Sequence, residues 1–433
     1  MRAMPIDMRD LSGTAPSTGG LRKAVIATSL GNGLEVFDFT VFSFFASMIG
    51  AQFFPSIDPM TSLLLAVGTF GAGFLMRPLG AFFIGAYADR SGRRGAMMLT
   101  IWLMALGTAA IGCCPSFASI GLAAPLIVIA GRLLQGFAAG GEVGAATTFL
   151  MESGPSARRG FLVSWQLASQ GAAALLGALL GVALTQSLSP SELAAWGWRV
   201  PFLVGLLVLP VGLYMRRQLH DVPLPAAPAR AARVPLVELC RGHLGTVVLA
   251  TLIMTGGTVS TYIIVYYMPS YLSRVMHFPQ ATGFMSATLS ALLMLVIAPL
   301  SGLLADRLKR RKPLVMFTSG FTALLVYPAF FLITHAQGLL PVLAGVGIIS
   351  ALMALGSGAG VLLLLEAFPP RLRASGFAIP YAVGVTLFGG SAQFIVTWLI
   401  KSTGDPMSAS WYVMPACLVS FVAVVLFKER PQD

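Results

Sequence analysis

The stretch Gly85-Ala-Tyr-Ala-Asp89-Arg90-Ser-Gly92-Arg93-Arg94 lies between two long apolar segments and is the most specific signal in the sequence. A near-copy, Gly302-Leu-Leu-Ala-Asp306-Arg307-Leu-Lys309-Arg310-Arg311, occupies the corresponding place in the second half of the chain. Each copy would end an apolar helix at a closely packed glycine, set a carboxylate at the start of the next helix and hold the turn with arginines. This duplication predicts that the chain consists of two structural repeats.

Hydrophobic residues make up 56% of the chain and charged residues only 10%, with a mean hydropathy of +0.83. A soluble globular domain does not have this composition, so we expect an integral membrane protein in contact with the lipid bilayer. The net charge of +12 would suit nucleic acid, but most of the 28 lysines and arginines lie in the termini and alternate loops. That asymmetry follows the positive-inside rule, so it predicts cytoplasmic termini and no nucleic acid partner.

Twelve apolar runs are long enough to cross the hydrocarbon core. They lie near residues 24–50, 61–86, 95–114, 120–150, 160–187, 198–215, 243–271, 280–305, 313–334, 338–365, 375–400 and 410–427. The predicted fold class is an all-α integral membrane protein whose twelve transmembrane helices form two six-helix halves around a central cavity. The predicted parts are a cytoplasmic tail at 1–20, a bundle at 21–217, a cytoplasmic linker at 218–242, a bundle at 243–427 and a tail at 428–433.

A second duplicated element has the pattern Glu-x-x-Pro-x-x-x-Arg, at residues 152–159 and again at residues 366–373. Its proline would stop a helix, and its glutamate would pair with an arginine of a neighbouring loop. We interpret both duplicated elements as gates, although contact of the second with substrate stays open. The predicted gating residues are Gly85, Asp89, Arg90, Arg93, Arg94, Glu152, Arg159, Asp306, Arg307, Glu366 and Arg373.

Few charged residues lie inside the predicted spans, and each implies a partner or a polar cavity because a mid-membrane charge costs roughly 2.5–3.5 kcal/mol. Glu35 and Asp38 share one helical face of the first span and would lie roughly 16 and 21 Å deep. Arg77 and Arg132 can reach the same layer, an arrangement that suits proton coupling through a carboxylate. Static ion pairs are the alternative. All four histidines lie in loops or at span ends, which leaves a carboxylate as the proton carrier.

The second half has no acidic residue at mid-membrane, and its candidate cavity groups are neutral, among them Tyr262, Tyr266 and Gln393. Charge chemistry in one half and hydroxyl recognition in the other fit a symporter with adjacent coupling and substrate sites. Packing is the alternative role for each tyrosine. The four cysteines have neither a disulfide nor a metal-ligand spacing, so we expect no metal site.

The duplicated Gly-x-x-x-Asp-Arg-x-Gly-Arg-Arg pattern resembles the loop between the second and third helices of major facilitator superfamily transporters. Further segments resemble the metabolite:proton symporter family, and within it the citrate and tricarballylate proton symporters. These segments are Gly31-Asn32-Gly-Leu-Glu35-Val-Phe37-Asp38-Phe39, Phe74-Leu-Met-Arg77-Pro, Gly131-Arg132-Leu-Leu-Gln135-Gly136-Phe137, Gly141-Glu142, Trp196-Gly-Trp198-Arg199-Val-Pro201-Phe202 and Lys401-Ser-Thr-Gly-Asp405.

This resemblance implies proton-coupled uptake of a carboxylate metabolite across the bacterial inner membrane, powered by the proton gradient, without a cofactor and without enzymatic activity. We expect a monomer whose partners are a small organic anion and protons. By analogy with sugar porters, Asp38 would be the proton site, Arg132 its partner and Gln166 a residue facing the substrate. The proton-coupling candidates are Asp38, Glu35, Arg132 and Glu142. The substrate-binding candidates are Asn32, Arg77, Arg132, Gln135, Gln166, Tyr262, Tyr266 and Gln393.

Two alternatives to citrate or a related tri- or dicarboxylate stay open. One is uptake of another organic acid or a zwitterion, such as 2-oxoglutarate, an aromatic acid or betaine. This alternative arises because a tricarboxylate requires more positive charge than two membrane arginines supply, unless it binds partly protonated or uses Lys401. The other is efflux of amphipathic compounds. The fifth span lacks the Gly-Pro-x-x-x-Gly element of antiporters, which argues against efflux.

Overall fold

The computed structural model describes residues 18–140, 142–207, 210, 238–239 and 242–429. Within them it describes every side chain except those of 18–24, 27, 85, 88–94, 97 and 142–145. Most of the predicted cytoplasmic tails and most of the predicted linker therefore lie outside the described residues. The domain boundaries stay predictions.

The regular elements of the described residues are all helical. The N-terminal helices are α1 Thr18–Phe44, α2 Ala46–Phe53, α3 Pro59–Leu75, α4 Arg77–Gly112, α5 Phe117–Ile120, α6 Ala123–Ala138, α7 Glu142–Glu152, α8 Arg159–Ser187, α9 Pro190–Ala195 and α10 Val200–Gly205. The C-terminal helices are α11 Leu244–Ser260, α12 Met268–Arg274, α13 Gln280–Arg307, α14 Lys312–Thr334, α15 Leu339–Glu366, α16 Arg373–Gly384, α17 Gly390–Thr403 and α18 Ser408–Leu426.

Eight continuous helical stretches of the described chain are long and apolar enough to cross a membrane. A ninth candidate is the first span, which bends by 64° between Thr28–Phe44 and Ala46–Phe53. Two shorter apolar helices, Met98–Gly112 and Ala123–Ala138, correspond to the third span and part of the fourth. The predicted sixth span at 198–215 lies only partly within the described residues.

The two copies of the Gly-x-x-x-Asp-Arg motif differ in backbone structure. The sequence predicts a turn at residues 85–94, but the backbone there is helical and belongs to α4, so that prediction is wrong for the first copy. At the second copy α13 ends at Arg307 and α14 begins at Lys312. Pro313 in the first turn of α14 explains the difference, because proline lacks an N–H and restricts the residue before it, and the first copy has no proline.

Two π-helical segments interrupt the seventh and eleventh spans. One, Thr261–Tyr267, joins α11 to α12, and the other, Val385–Gly389, joins α16 to α17. π-helical turns inside α-helices are rare and are frequently found at functional sites. Both segments belong to the C-terminal spans in which the sequence predicts hydroxyl recognition.

Glycines allow close contact between the N-terminal and C-terminal helices. A Cβ atom at Gly302 of α13 would lie 2.4 Å from the carbonyl oxygen of Gly160 of α8. Similarly, a Cβ atom at Gly71 of α3 would lie 2.5 Å from the carbonyl oxygen of Gly390 of α17. Small residues at such crossings let membrane helices gain van der Waals contact, which is their main source of association.

At the end that carries the arginine-rich loops, called here the arginine-rich end, Asp306 links the two groups of helices. Its Oδ1 accepts a hydrogen bond from the backbone N–H of Gly160 at 2.6 Å, and its Oδ2 accepts one from Phe161 at 2.9 Å. These N–H groups belong to the first turn of α8, which has no intrahelical acceptors and carries the positive end of the helix dipole. Asp306 therefore caps α8 across the interface.

Two ion pairs accompany this cap at the arginine-rich end. Glu152 at the end of α7 approaches Arg373 at the start of α16 with an oxygen–nitrogen distance of 3.6 Å. The glutamate of the first duplicated element thus pairs with the arginine of the second. Glu366 pairs instead with Arg311 at 3.7 Å, within the C-terminal helices. Arg307 is exposed, and Arg159 is partly buried with no hydrogen bond to its Nε.

At the opposite end, Lys401 of α17 pairs with Asp58, which caps the N-terminus of α3. Lys401 Nζ lies 2.9 Å from Asp58 Oδ2, and Lys401 also donates to Thr61. The hydrogen bonds from Lys401, Thr61 and the Met60 N–H lower the pKa of Asp58 to about 2. Because a depressed pKa keeps the carboxylate charged until the pH falls to that value, this pair stays intact throughout the neutral range. Lys401 is therefore engaged outside the centre of the molecule.

Loss of the bridging carboxylate at either end of the interface should increase cysteine labelling at that end. Asp306→Asn turns an amide NH₂ towards one of the two α8 N–H donors, and a buried donor left without an acceptor costs about 1–3 kcal/mol, so cysteine labelling at Ser164→Cys of α8 should rise several-fold. Asp58→Asn should instead increase labelling at Ser47→Cys, whose carbonyl accepts from Arg274 at 3.5 Å. Both measurements use full-length protein without its native cysteines.

Glu192→Gln is the matched control, because Glu192 caps α9 inside the N-terminal helices and joins nothing across the interface. It should leave both labelling rates unchanged. Equal labelling of Ser164→Cys with and without Asp306→Asn would show that the cap does not hold the arginine-rich end closed.

Candidate functional site

A small, partly open cavity lies between the N-terminal and C-terminal helices at mid-span. Its lining residues are Asn32, Glu35, Val36, Phe39, Phe70, Arg77, Gln170, Tyr262, Tyr266 and Tyr381. Its free volume is about 30 Å³, and since one water requires roughly 10–15 Å³ measured in this way, it takes water but no organic solute in this conformation. Entry of a solute therefore requires the two groups of helices to move apart.

Arg77 supplies the positive charge of this cavity wall. Its guanidinium carbon lies 4.8 Å from the centroid of the Phe39 ring and 4.3 Å from that of Phe74. Such cation–π contacts compensate a buried cation for lost water while leaving its N–H edges available. Met76, between α3 and α4, precedes Arg77, and Pro78 stands in the first turn of α4, so a helix break positions the arginine.

Asp38 does not line the cavity but lies in a separate polar cluster with Thr108, Gln135 and Arg132. All four side chains are buried. Thr108 Oγ1 lies 2.5 Å from Asp38 Oδ2, and Gln135 Nε2 donates to the same Oγ1 at 2.9 Å. Arg132 Nη1 donates to Gln135 Oε1 at 2.6 Å. The expected partners Asp38 and Arg132 are thus connected through two neutral side chains, with no direct ion pair within 4 Å.

Phe39 separates this cluster from the cavity. The guanidinium of Arg132 lies 4.6 Å from the Phe39 ring centroid and also contacts the rings of Phe42 and Phe70, at 4.4 and 5.1 Å. Since Arg77 stacks on Phe39 as well, one aromatic ring contacts both arginines. The two cations that the sequence places in one layer therefore occupy two compartments.

The predicted substrate residues fall into three groups. Asn32, Arg77, Tyr262 and Tyr266 line the cavity, and Glu35, predicted for proton coupling, lines it with them. Gln135 and Arg132 belong to the Asp38 cluster. Gln166 and Gln393 are buried and make helix-to-helix hydrogen bonds, as described next. Their roles in substrate binding stay predictions.

Gln166 of α8 exchanges hydrogen bonds with Asn32 of α1, the side-chain donation to Asn32 Oδ1 being 2.8 Å long. Gln393 of α17 donates to Ser43 Oγ of α1 at 2.6 Å, and Ser43 donates to the carbonyl of Tyr266 at 3.1 Å. Both glutamines therefore fasten α1 to its neighbours. The side chain of Glu142 and those of Gly85, Asp89, Arg90, Arg93 and Arg94 lie outside the described part.

Gln170, Tyr381 and Thr108 were not predicted from the sequence. Gln170 lies one helical turn beyond Gln166, so the spacing offered a signal for it. Tyr381 follows Pro380 in a span with several polar residues, and Thr108 is an isolated hydroxyl in the third span. Neither has a sequence feature that distinguishes it from a packed residue.

Comparison with known proteins agrees with this architecture. The family model for the Major Facilitator Superfamily matches residues 28–379. The chain belongs to the Major Facilitator Superfamily. A citrate-proton symporter of Klebsiella pneumoniae is 36% identical to it over 97% of this chain and 96% of that protein. A proline/betaine transporter of Escherichia coli is 33% identical over 99% and 87% of the two chains.

Among solved structures, a D-xylose-proton symporter superposes on the chain with a TM-score of 0.75, covering 95% of this chain and 98% of that one at 17% identity. This likeness confirms the predicted fold class. The all-helical, multi-pass architecture and the symporter relatives make the protein a membrane transporter rather than an enzyme.

The cavity geometry predicts that Arg77→Lys raises the apparent Km for the transported solute about tenfold, which corresponds to about 1.4 kcal/mol. Lysine keeps the charge but loses the planar fork that stacks on the rings and binds two oxygens together. Initial uptake rates over a range of solute concentrations in membrane vesicles measure this change. An unaltered Km would remove Arg77 from the binding site.

Arg199→Lys is the matched control. The Arg199 guanidinium also stacks on an aromatic ring, 4.4 Å from Trp198, but it belongs to a loop and does not line the cavity. Arg199→Lys should leave the Km unchanged, and its largest expected effect is on the amount of protein in the membrane.

Proposed function

We propose that the protein imports a carboxylate metabolite, citrate or a related tri- or dicarboxylate, together with protons by alternating access. The observation that carries this proposal is the Arg77 guanidinium in the wall of the cavity between the N-terminal and C-terminal helices. A guanidinium fork matches the two oxygens of a carboxylate. The hydroxyls of Tyr262, Tyr266 and Tyr381 supply further donors around the same space.

The symporter relatives support the same proposal. The 36% identity to a citrate-proton symporter extends over nearly the whole of both chains, so it includes every helix that forms the cavity. Asp38 supplies a separate buried carboxylate for the proton, outside the solute cavity. The proton would then bind Asp38 and the solute would bind Arg77. Both residues belong to the N-terminal helices, so both ligands can be carried in the same step.

The proposal includes the setting in which transport occurs. We propose a bacterial inner membrane with both termini in the cytoplasm, which the arginine-rich alternate loops support through the positive-inside rule. The arginine-rich end with the Asp306 cap is then cytoplasmic, and the end with the Asp58–Lys401 pair faces outward. We further propose that the protein works as a monomer in the lipid bilayer, with the proton gradient in place of any cofactor.

A second candidate function is uptake of a zwitterion such as betaine. It is favoured by Glu35, which shares the cavity with Arg77, so that the two formal charges of the wall cancel. The aromatic rings of Phe39, Phe70 and Tyr262 also line the cavity, and ring faces attract quaternary ammonium groups. Lys401 does not add positive charge, because it pairs with Asp58 at the outer end.

Uptake of labelled citrate into proteoliposomes with an imposed inward proton gradient tests the main proposal. Accumulation should exceed equilibration and vanish when a protonophore collapses the gradient. Tricarballylate and 2-oxoglutarate should compete, whereas glucose should not. Uptake of labelled betaine with none of labelled citrate would support the second candidate and contradict the first, and uptake of labelled glucose alone would contradict both.

Asp38→Asn separates coupling from binding. The amide cannot carry a titrating proton, so accumulation driven by the gradient should fall to the level of equilibration while exchange of internal for external solute persists. Gradient-driven accumulation and solute exchange are measured on the same vesicles and compared. A variant that accumulates solute at the wild-type rate would show that Asp38 is not the proton site.

A further inference from the structure

The hydrogen-bond network around Thr108 has a fixed direction at one end. Arginine has only donors, so the contact between Arg132 Nη1 and Gln135 must end on the amide oxygen Oε1. This assigns the NH₂ group of Gln135 to the other side, where it donates to Thr108 Oγ1 at 2.9 Å. Gln135 therefore occupies one of the two lone pairs of the Thr108 hydroxyl.

The Thr108 hydroxyl then has one hydrogen and one lone pair for two remaining neighbours. These neighbours are Asp38 Oδ2 at 2.5 Å and the backbone carbonyl of Met104 at 2.9 Å. The carbonyl can only accept. If Asp38 is ionised it can only accept too, and both oxygens compete for one hydrogen while a lone pair of Thr108 faces no donor.

A proton on Asp38 Oδ2 satisfies all three contacts. Asp38 then donates to the free lone pair of Thr108, and Thr108 donates its hydrogen to the Met104 carbonyl. The donors and acceptors match without moving any heavy atom. The count of hydrogens at Thr108 therefore favours a protonated Asp38 in this conformation.

The surroundings of the other carboxyl oxygen agree. Asp38 Oδ1 is buried without a hydrogen bond, and Nε and Nη2 of Arg132 are buried without acceptors. An ionised carboxylate would leave this buried oxygen without a hydrogen bond or a direct ion pair, which is costly because a buried charge needs pairing. Oδ1 instead packs against Gly205 of α10, where a Cβ atom would lie 2.5 Å from it. That environment suits a neutral carboxyl group.

Several helices packed around Asp38 contribute groups that act on it or on its partner Arg132. Thr108 of α4 is its hydrogen-bond partner, and Arg132 of α6 is the charge that acts on it. α10 contributes the backbone at Gly205, and α3 contributes Phe70, which stacks with Arg132.

We propose that Thr108 is a positioning residue that couples the protonation of Asp38 to Gln135 and Arg132, and that this conformation is the proton-loaded one. A proton from the outer aqueous side adds to the Asp38 carboxylate, and the Thr108 hydroxyl turns from Asp38 to the Met104 carbonyl. Release of that proton to the cytoplasm reverses the turn and leaves an anion, which the free donors of Arg132 attract. This inference rests on the proton coupling of the proposed function.

Infrared spectroscopy of the full-length protein in lipid vesicles at neutral pH tests the inference directly. A protonated-carboxyl C=O stretch should be present in the wild type and absent in Asp38→Asn. It should shift to higher frequency in Thr108→Val, which lacks the hydroxyl, and stay close to the wild-type position in Thr108→Ser. Absence of any band that depends on Asp38, or a band unmoved by Thr108→Val, would overturn the inference.

Transport supplies the second readout. Thr108→Val should reduce gradient-driven accumulation at least about tenfold, a change of about 1.4 kcal/mol, while keeping solute exchange, and Thr108→Ser should restore accumulation. Thr322→Val is the matched control, because Thr322 is a buried threonine whose hydroxyl bonds only the Thr318 carbonyl of its own helix. Equal accumulation by Thr108→Val and the wild type would contradict the role of the hydroxyl.

These results can be distinguished from failure of the proposed substrate. The infrared band requires no solute, so its presence and its shift would stand even if citrate were not transported. Conversely, citrate uptake with no band from Asp38 would keep the proposed function and remove the proton-loaded assignment.

Discussion

The stacking of two guanidinium groups on the single ring of Phe39 is the interaction on which the centre of this transporter depends. The guanidinium carbons of Arg77 and Arg132 lie 4.8 and 4.6 Å from that ring centroid. A cation at mid-membrane costs several kcal/mol, and a desolvated cation–π contact returns about 2 kcal/mol or more. The ring also keeps the two arginines in separate compartments, so that one faces the solute cavity and the other faces the Asp38 cluster.

This separation gives a physical reason for coupling. Asp38 and Phe39 are consecutive residues of α1, so any displacement of that helix moves the carboxyl and the ring together. Gln166 and Gln393 fasten the same helix to α8 and α17, on opposite sides of the interface. In the proposed function, proton binding at Asp38 and solute binding in the cavity act on one helix that contacts both groups of helices, without any need for contact between proton and solute.

The two ends of the interface are held by different chemistry. The arginine-rich end uses a carboxylate cap on a helix N-terminus, which is partly buried. The opposite end uses the exposed Asp58–Lys401 pair, and exposed ion pairs contribute little to stability and weaken with salt. Neither is strong, and alternating access requires this, because both states must lie within a few kcal/mol of each other.

The sequence by itself determined that this is a two-repeat helical membrane transporter, because a bilayer admits only apolar spans and makes every charged residue within them conspicuous. The same rule identified Glu35, Asp38, Arg77 and Arg132. Tertiary structure alone decided which of them meet, since helix rotation and packing bring together residues far apart in sequence. Thr108, Tyr381 and Phe39 look like ordinary packing residues in the sequence. Their roles follow from what lies beside them, which is a property of the packed helices.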